Sequence, residues 1–274
     1  MKSVTVAFIG GGNMACSLIG GLLRTGYQPN KIWVSDPHRE KLEKLAAQYN
    51  IHTTEHNSEA LAQAEVVVFA VKPQNMQQVV TAAAAIVKAK KSLIISIAAG
   101  ITISTIQTWL DFDAAIIRCM PNTPAMVSSG ATALYANLHT HEEQKEIAES
   151  LMRSVGLAVW LEHEQQLNVV TALSGSGPAY FFIVMEALQQ AAEELGLTHQ
   201  QARLLTVQTA LGAARLALET EQSIAELRSS VTSQGGTTEQ GVQVLQDGGI
   251  HELFAKALQA AESKAVAMSK SFIS

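Results

Sequence analysis

The spacing of apolar positions changes once along this chain, near Glu162. Before that point, short and almost wholly apolar runs alternate with amphipathic stretches of helical period. Val4–Ile9, Lys31–Ser35, Glu65–Val71, Ser92–Ile97 and Ala115–Arg118 are expected as strands. Asn13–Thr25, closing near Gly26, and His38 to about Tyr49 are expected as helices. Strands that are apolar at every position suit a parallel sheet covered on both faces. The pattern therefore predicts an α/β, doubly wound, Rossmann-like domain over residues 1–162. Beyond it no strand is expected. Ala179–Leu195, Gln200–Glu219 and Glu252–Ser269 all carry a helical period, punctuated by Gly196, Gly235-Gly236 and Gly248-Gly249. Residues 163–274 read as a second, all-α domain.

Composition narrows what these domains do. With 47% hydrophobic and 16% charged residues the chain can bury a sizeable core. Alanines at 202, 210, 213, 214 and 217 keep one helix thin, which suits burial against a second copy and predicts self-association. A net charge of −5 gives no electrostatic reason to expect nucleic acid or an anionic membrane. The uninterrupted apolar runs are too short to span a bilayer and no secretory leader is visible, so a soluble, cytoplasmic protein is expected. Cys16 and Cys119 form neither a metal spacing nor a C-x-x-C pair, and are read as buried thiols; no metal is expected.

The first strand runs into Phe8-Ile9-Gly10-Gly11-Gly12-Asn13-Met14-Ala15, a G-x-G-x-x-A pattern that opens the first helix. Gly10 suits the tight turn, Gly12 a close approach to a pyrophosphate, and Ala15 the packing of helix on strand. The helix start offers unpaired N–H groups and the positive end of a dipole. A dinucleotide is the expected ligand. The second strand ends Ser35-Asp36-Pro37-His38-Arg39. Asp36 stands where an acid commonly binds a ribose 2′-hydroxyl, which favours NAD. Ser35, His38 and Arg39 suit a 2′-phosphate instead, with Asp36 turned away to cap the next helix. Ala70-Val71-Lys72-Pro73 ends another strand at the edge where ligands lie in open parallel sheets, so Lys72 is placed for cofactor or carboxylate.

In the helical half, Ser233-Gln234-Gly235-Gly236-Thr237-Thr238-Glu239-Gln240 is a glycine turn feeding a helix, with capping-box spacing between Thr237 and Gln240. Such a turn presents N–H groups to an anion, and a small carboxylate fits. An ordinary capped helix fits the same residues.

Taken in order, Phe8–Ala15, Ala70–Pro73, Ser96-Ile97-Ala98-Ala99-Gly100, Arg118-Cys119-Met120-Pro121-Asn122-Thr123-Pro124, Leu173–Tyr180 and Gly235–Thr238 resemble the pyrroline-5-carboxylate reductases. The likeness runs from about Val4 to about Ala267. It implies reduction of 1-pyrroline-5-carboxylate to L-proline by NADP(H), with NAD(H) allowed. It also implies intertwined dimers, or multiples of dimers, in which the partner's helical domain completes each active site. Residue by residue, it places Ser35, Asn57, Lys72 and Ala98 at the cofactor, and Gly10, Gly12, Asn13, Met14, Asp36, Arg39, Ala70, Val71, Pro73, Ala99 and Asn122 are expected there with them. It places Ser233, Gly235, Gly236 and Thr237 at the substrate carboxylate and Thr238 at the ring nitrogen, as the catalytic residue. Ser174–Tyr180 is expected to begin the first long helix of the second domain. Where the family usually has proline before the glycine pair, this chain has Gln234.

Two other functions fit the cofactor loop. A hydroxyacid dehydrogenase of the same architecture needs a general acid/base, usually a lysine on the first interdomain helix. Here no lysine occurs between Lys145 and Lys256. A non-catalytic dinucleotide sensor would have no use for the loop at Gly235–Thr238.

Overall fold

The structure, a computed structural model, describes residues 4–272. Eight strands form one sheet: β1 (Val6–Ile9), β2 (Ile32–Ser35), β3 (His52–Thr54), β4 (Val66–Phe69), β5 (Leu93–Ser96), β6 (Ile116–Met120), β7 (Gly130–Ala136) and β8 (Gly156–Trp160). Their order is β3-β2-β1-β4-β5-β6-β7-β8. Every neighbouring pair is parallel except β6 and β7, which run antiparallel. Between the strands lie α1 (Asn13–Arg24), α2 (Arg39–Tyr49), α3 (Asn57–Gln63), α4 (Pro73–Lys90), α5 (Ile103–Leu110) and α6 (Glu142–Arg153).

The core explains why the strands read as apolar throughout. Val6, Phe8, Val66, Val68 and Ile95 join Leu18, Ile19, Leu22 and Met152 in one buried cluster. Their neighbours Ala7, Ile9, Val67, Phe69 and Ile94 point the other way, into a second cluster with Met76, Val80 and Ile106. Alternate side chains enter opposite layers, so β1 and β4 are apolar at every position. Each fully buried large side chain contributes about 1.5–3 kcal/mol.

Three strands were not expected from the sequence pattern. β3 is three residues long and polar, and is held by stacking of the His52 ring on Trp33 at 4.5 Å. β7 is built largely of small residues, and β8 is an edge strand with Leu157 and Val159 exposed, so neither shows a long apolar run. β8 joins β7 through Gly156 and Gly130; a side chain on Gly156 would collide with the Gly130 backbone.

The second stretch of the chain is helical, as expected: α7 (Gln166–Val170), α8 (Gly177–Glu194), α9 (His199–Glu219), α10 (Ile224–Ser230), α11 (Thr237–Asp247) and α12 (Ile250–Ser271). A π-turn over Thr171–Gly175 follows α7. The chain forms two compact units, one running through Ser176 and resuming at Ala260, the other Gly177–Gln259. In the first unit, Gly100 at φ +77° lies against Met268 and Phe272 near the end of α12.

The Gly177–Gln259 unit has almost no interior. α8 and α9 pack side by side, the turn between them closing at Gly196 (φ +105°) and at a reciprocal Thr198–Gln201 cap. Among the described residues of this unit, Ala202 is the only fully buried apolar side chain. Phe181 and Phe182 are 67% and 64% exposed, and Ile183, Leu188, Leu204, Leu205 and Leu211 are likewise open. One helical stretch, Gln166–Glu194, is long and apolar enough to cross a membrane by length and composition. Counting uninterrupted apolar runs misses it, because Ser174, Ser176 and the glycines divide it in the sequence while the helix runs through them.

Candidate functional site

In the first unit the strand order reverses between β1 and β4, the place where an open α/β sheet leaves a crevice at its carboxyl edge. The glycine loop crosses that edge. Gly10 adopts φ +103° and donates its N–H to the Ser35 carbonyl at 2.8 Å. A Cβ on Gly10 would lie 2.8 Å from the Ala70 carbonyl oxygen, so only glycine fits between β1 and β4. Gly12 differs: nothing lies within 4 Å of where its Cβ would stand. Gly12 is also the N-cap of α1, with no side-chain cap and no acidic residue in the first turn. The opening N–H groups of α1 are thus left for an anion.

The end of β2 decides what surrounds the adenosine side of such a ligand. Ser35 is fully buried and its hydroxyl donates to the Asn57 amide oxygen at 2.8 Å, bringing β2 and α3 together. Asp36 is buried. Its Oδ2 accepts the Gly11 N–H at 3.0 Å, while its Oδ1 accepts the His38 N–H at 3.0 Å and lies 2.7 Å from His38 Nδ1. Burial works to raise the Asp36 carboxyl, but the two N–H donors, the His38 ring and the charge of Lys41 outweigh it and hold it below the usual range. His38 and Arg39 are exposed, with Arg39 in an ion pair to Glu43 at 2.9 Å.

Across the crevice, Ala70 and Val71 are half-buried and Lys72 is exposed at the N-cap of α4, with Pro73 at the first helical position. Among the described residues the Lys72 ammonium has no ion-pair partner. Ala98 is buried and donates its N–H to the Ser96 hydroxyl at 3.4 Å; Ala99 beside it is half-buried. Asn122 is buried, and its amide is used twice within the unit: it donates to the Ser174 carbonyl at 3.0 Å and accepts from the Ala131 N–H at 2.8 Å. It ties β6, β7 and the π-turn together.

The Leu173–Tyr180 motif falls inside helical structure that starts at Gln166, earlier than the expected start near Ser174. The Ser176 N–H bonds back to the Thr171 carbonyl, and the Thr171, Ser174 and Ser176 hydroxyls all turn onto backbone carbonyls. That self-bonding is the physical reason the serines do not break the helix. Gly175 lets Met120 approach; a Cβ there would be 2.8 Å from its Cε.

A second pair went unread in the sequence. The Arg118 guanidinium donates to Glu164 Oε1 at 3.0 Å, and the same oxygen accepts the Ile103 N–H at 2.8 Å. A lone glutamate beyond the last strand carries no motif, so only the fold reveals it.

In the helical unit the loop Ser233–Thr238 is open to solvent, apart from a half-buried Gly236. Gly235 has φ +73°, and Gly236 is the N-cap of α11 with no side-chain cap. The expected box between Thr237 and Gln240 does not form, because Thr237 is already the first helical residue. Instead Glu239 reaches back to accept the Gly235 N–H at 2.8 Å. A Cβ on Gly236 would lie 2.8 Å from the Ser233 hydroxyl, so the turn is closed around Ser233. The Thr237 and Thr238 hydroxyls make no hydrogen bond among the described residues, and the first-turn N–H groups have no side-chain cap, as at α1. The described residues contain no cluster of His, Cys, Asp or Glu able to hold a metal ion.

Comparison with known proteins joins the two halves. Residues 164–268 match the family model for pyrroline-5-carboxylate reductase dimerisation, and residues 5–100 match that for NADP oxidoreductase, coenzyme F420-dependent. The pyrroline-5-carboxylate reductase of Pseudomonas aeruginosa is 47% identical over 98% of this chain and 98% of its own length. That of Pasteurella multocida is 40% identical, covering 99% of this chain and 100% of the relative. A solved pyrroline-5-carboxylate reductase from Coxiella burnetii superposes with a TM-score of 0.95 at 50% identity, over 98% of this chain and 99% of that one. At 40–50% identity over nearly the whole of each chain, with its second half matching the family's dimerisation model, the chain belongs to the pyrroline-5-carboxylate reductase family.

Proposed function

We propose that this protein reduces 1-pyrroline-5-carboxylate to L-proline with a reduced nicotinamide dinucleotide, NADPH before NADH. The observation that carries the reading is the pairing of two uncapped helix starts in one chain. One is led by Gly12 and suits a pyrophosphate; the other is led by Gly236 and suits a small carboxylate.

The dinucleotide fits the first unit: Gly10 is closed against Ala70, Gly12 is open, and no acid repels phosphate in the first turn of α1. Asn13 and Met14 begin that helix, and Val71, Lys72, Pro73, Ala98 and Ala99 line the opposite wall. When bound, the reduced nicotinamide supplies a hydride to the imine carbon. The imine enters already protonated on nitrogen, so the chain's own task is to hold substrate and nicotinamide in register. Ser233, Gly235, Gly236 and Thr237 hold the carboxylate, and the Thr238 hydroxyl orients the nitrogen, which takes the C=N π electrons as hydride adds and stays in the ring as the secondary amine of proline.

The preference for NADPH rests on the end of β2. The Ser35 hydroxyl is spent on the Asn57 amide oxygen, which turns the Asn57 amide nitrogen out as a donor, and His38 and Arg39 stand exposed after the end of β2, all suited to a 2′-phosphate. The bare Gly177–Gln259 unit supports a homodimer or a multiple of dimers, with the apolar face of Gln166–Glu194 covered by protein and not by lipid. We assign the cofactor to residues 1–162, substrate and self-association to 163–274, and the reaction to the cytoplasm, with no nucleic acid or membrane partner.

The test is the loss of reduced-nicotinamide absorbance with purified protein and 1-pyrroline-5-carboxylate, run with NADPH and NADH in parallel. Proline formation, faster with NADPH, is expected. Folded protein that binds NADPH and turns over neither would overturn the reading.

A further inference from the structure

Asp36 occupies the position from which an acidic side chain reads the ribose hydroxyls of NAD in dinucleotide folds of this type. To do so it must turn an oxygen into the crevice. Here the side chain is only 8% exposed and both oxygens are engaged by protein. Oδ2 holds the Gly11 N–H at 3.0 Å and has Lys41 Nζ at 3.6 Å; Oδ1 holds the His38 N–H and faces the His38 ring. The loop also lies flat on this carboxylate. A Cβ on Gly11 would rest 3.5 Å from Asp36 Oδ2 and 3.3 Å from Leu45 Cδ1.

One N–H of the glycine loop is thereby turned backward and fixed, which sets the peptide planes on either side of it. Those planes carry the N–H groups that meet phosphate. We infer that Asp36 is a positioning residue for the dinucleotide loop and not a reader of the ribose, and that it therefore supports NADPH and NADH alike. The inference rests on the reading that this loop holds a nicotinamide dinucleotide.

Full-length wild type, Asp36→Asn and Asp36→Ala are titrated with NADPH and with NADH, following nicotinamide fluorescence, alongside thermal unfolding and steady-state kinetics. Asp36→Ala is expected to weaken both cofactors by about tenfold, the loss of one charge-assisted hydrogen bond. The NADPH/NADH ratio stays within about threefold of wild type, and the change appears in the cofactor KM more than in kcat. Asp36→Asn keeps an acceptor for the Gly11 N–H and falls between the two. Loss of NADH affinity alone, with NADPH unchanged or tighter, would identify a ribose reader and overturn the inference. So would a lower melting midpoint with both dissociation constants unaltered. Wild type that binds neither cofactor would overturn the underlying reading, and the inference with it.

Discussion

Arg118 on β6 and Glu164 beyond β8 form an ion pair at 3.0 Å in which the arginine is buried and the glutamate partly so, with the side chains 5% and 19% exposed. Desolvation holds the Arg118 guanidinium below its usual value, and the charge and hydrogen bond of Glu164 offset only part of this. Removing one partner leaves the other charge buried alone, which costs more than the pair itself contributes. Glu164→Ala also strips the Ile103 N–H at the start of α5 of its acceptor. We expect Glu164→Ala to lower unfolding free energy by about 3–5 kcal/mol in urea titrations. A loss below about 1 kcal/mol would show that solvent reaches Arg118 freely.

Gly10 and Gly12 serve one motif for opposite reasons. Gly10→Ala forces a side chain onto the Ala70 carbonyl at φ +103°, so stability falls along with cofactor binding. Strain of this kind costs about 1–3 kcal/mol. Gly12→Ala meets open space, so its melting midpoint should match wild type while NADPH affinity drops at least about tenfold, since the new methyl stands where phosphate approaches. Unchanged NADPH affinity in Gly12→Ala would move the pyrophosphate elsewhere.

Much of this was legible in the sequence because it depends on local pattern. Val66–Phe69 is apolar at every position, and Gly10–Ala15 carries its own spacing, so strand, turn and helix follow from neighbours alone. What escaped depends on distant partners. β3 pairs with β2 where Trp33 stacks on His52, and β8 pairs with β7 where Gly130 and Gly156 permit close approach. Ser174 and Ser176 read as a helix start, yet their hydroxyls bond back along a helix already running. Asp36 left two readings open in the sequence, since only the folded loop shows Gly11 as its partner.

The helical unit carries its apolar side chains outward, and Leu211 on α9 is half exposed. Leu211→Glu is expected to shift the protein to monomers in sedimentation velocity, because an unpaired carboxylate is costly to bury in an interface. Turnover should fall with it while NADPH binding to the first unit persists, as the family resemblance implies a site completed by the partner. Wild-type sedimentation in the variant would place this part of α9 outside the interface.

The Asp36 carboxyl is held below its usual value in the folded protein. A depressed carboxylate contributes stability that is fully present above its unfolded value of about 3.9 and is lost as pH falls through the folded value. The difference in unfolding free energy between wild type and Asp36→Asn should therefore shrink as pH falls below about 4. A difference that grows as pH falls would reverse the sign and mean that Asp36 is held protonated.

Thr238 is the second residue of α11, and its hydroxyl has no protein partner among the described residues. If it orients the imine nitrogen, Thr238→Ala removes one hydrogen bond made at the reacting centre, worth about 1–3 kcal/mol of transition-state binding. That corresponds to a fall in turnover of about fivefold to somewhat over a hundredfold. Cofactor affinity should not change, because the loss is confined to the helical unit. Thr238→Ser, which keeps the hydroxyl, should recover most of the rate and so separate hydrogen bonding from packing of the methyl group. Wild-type turnover in Thr238→Ala would remove this residue from the reaction and leave the first-turn N–H groups of α11 as the only role of the loop.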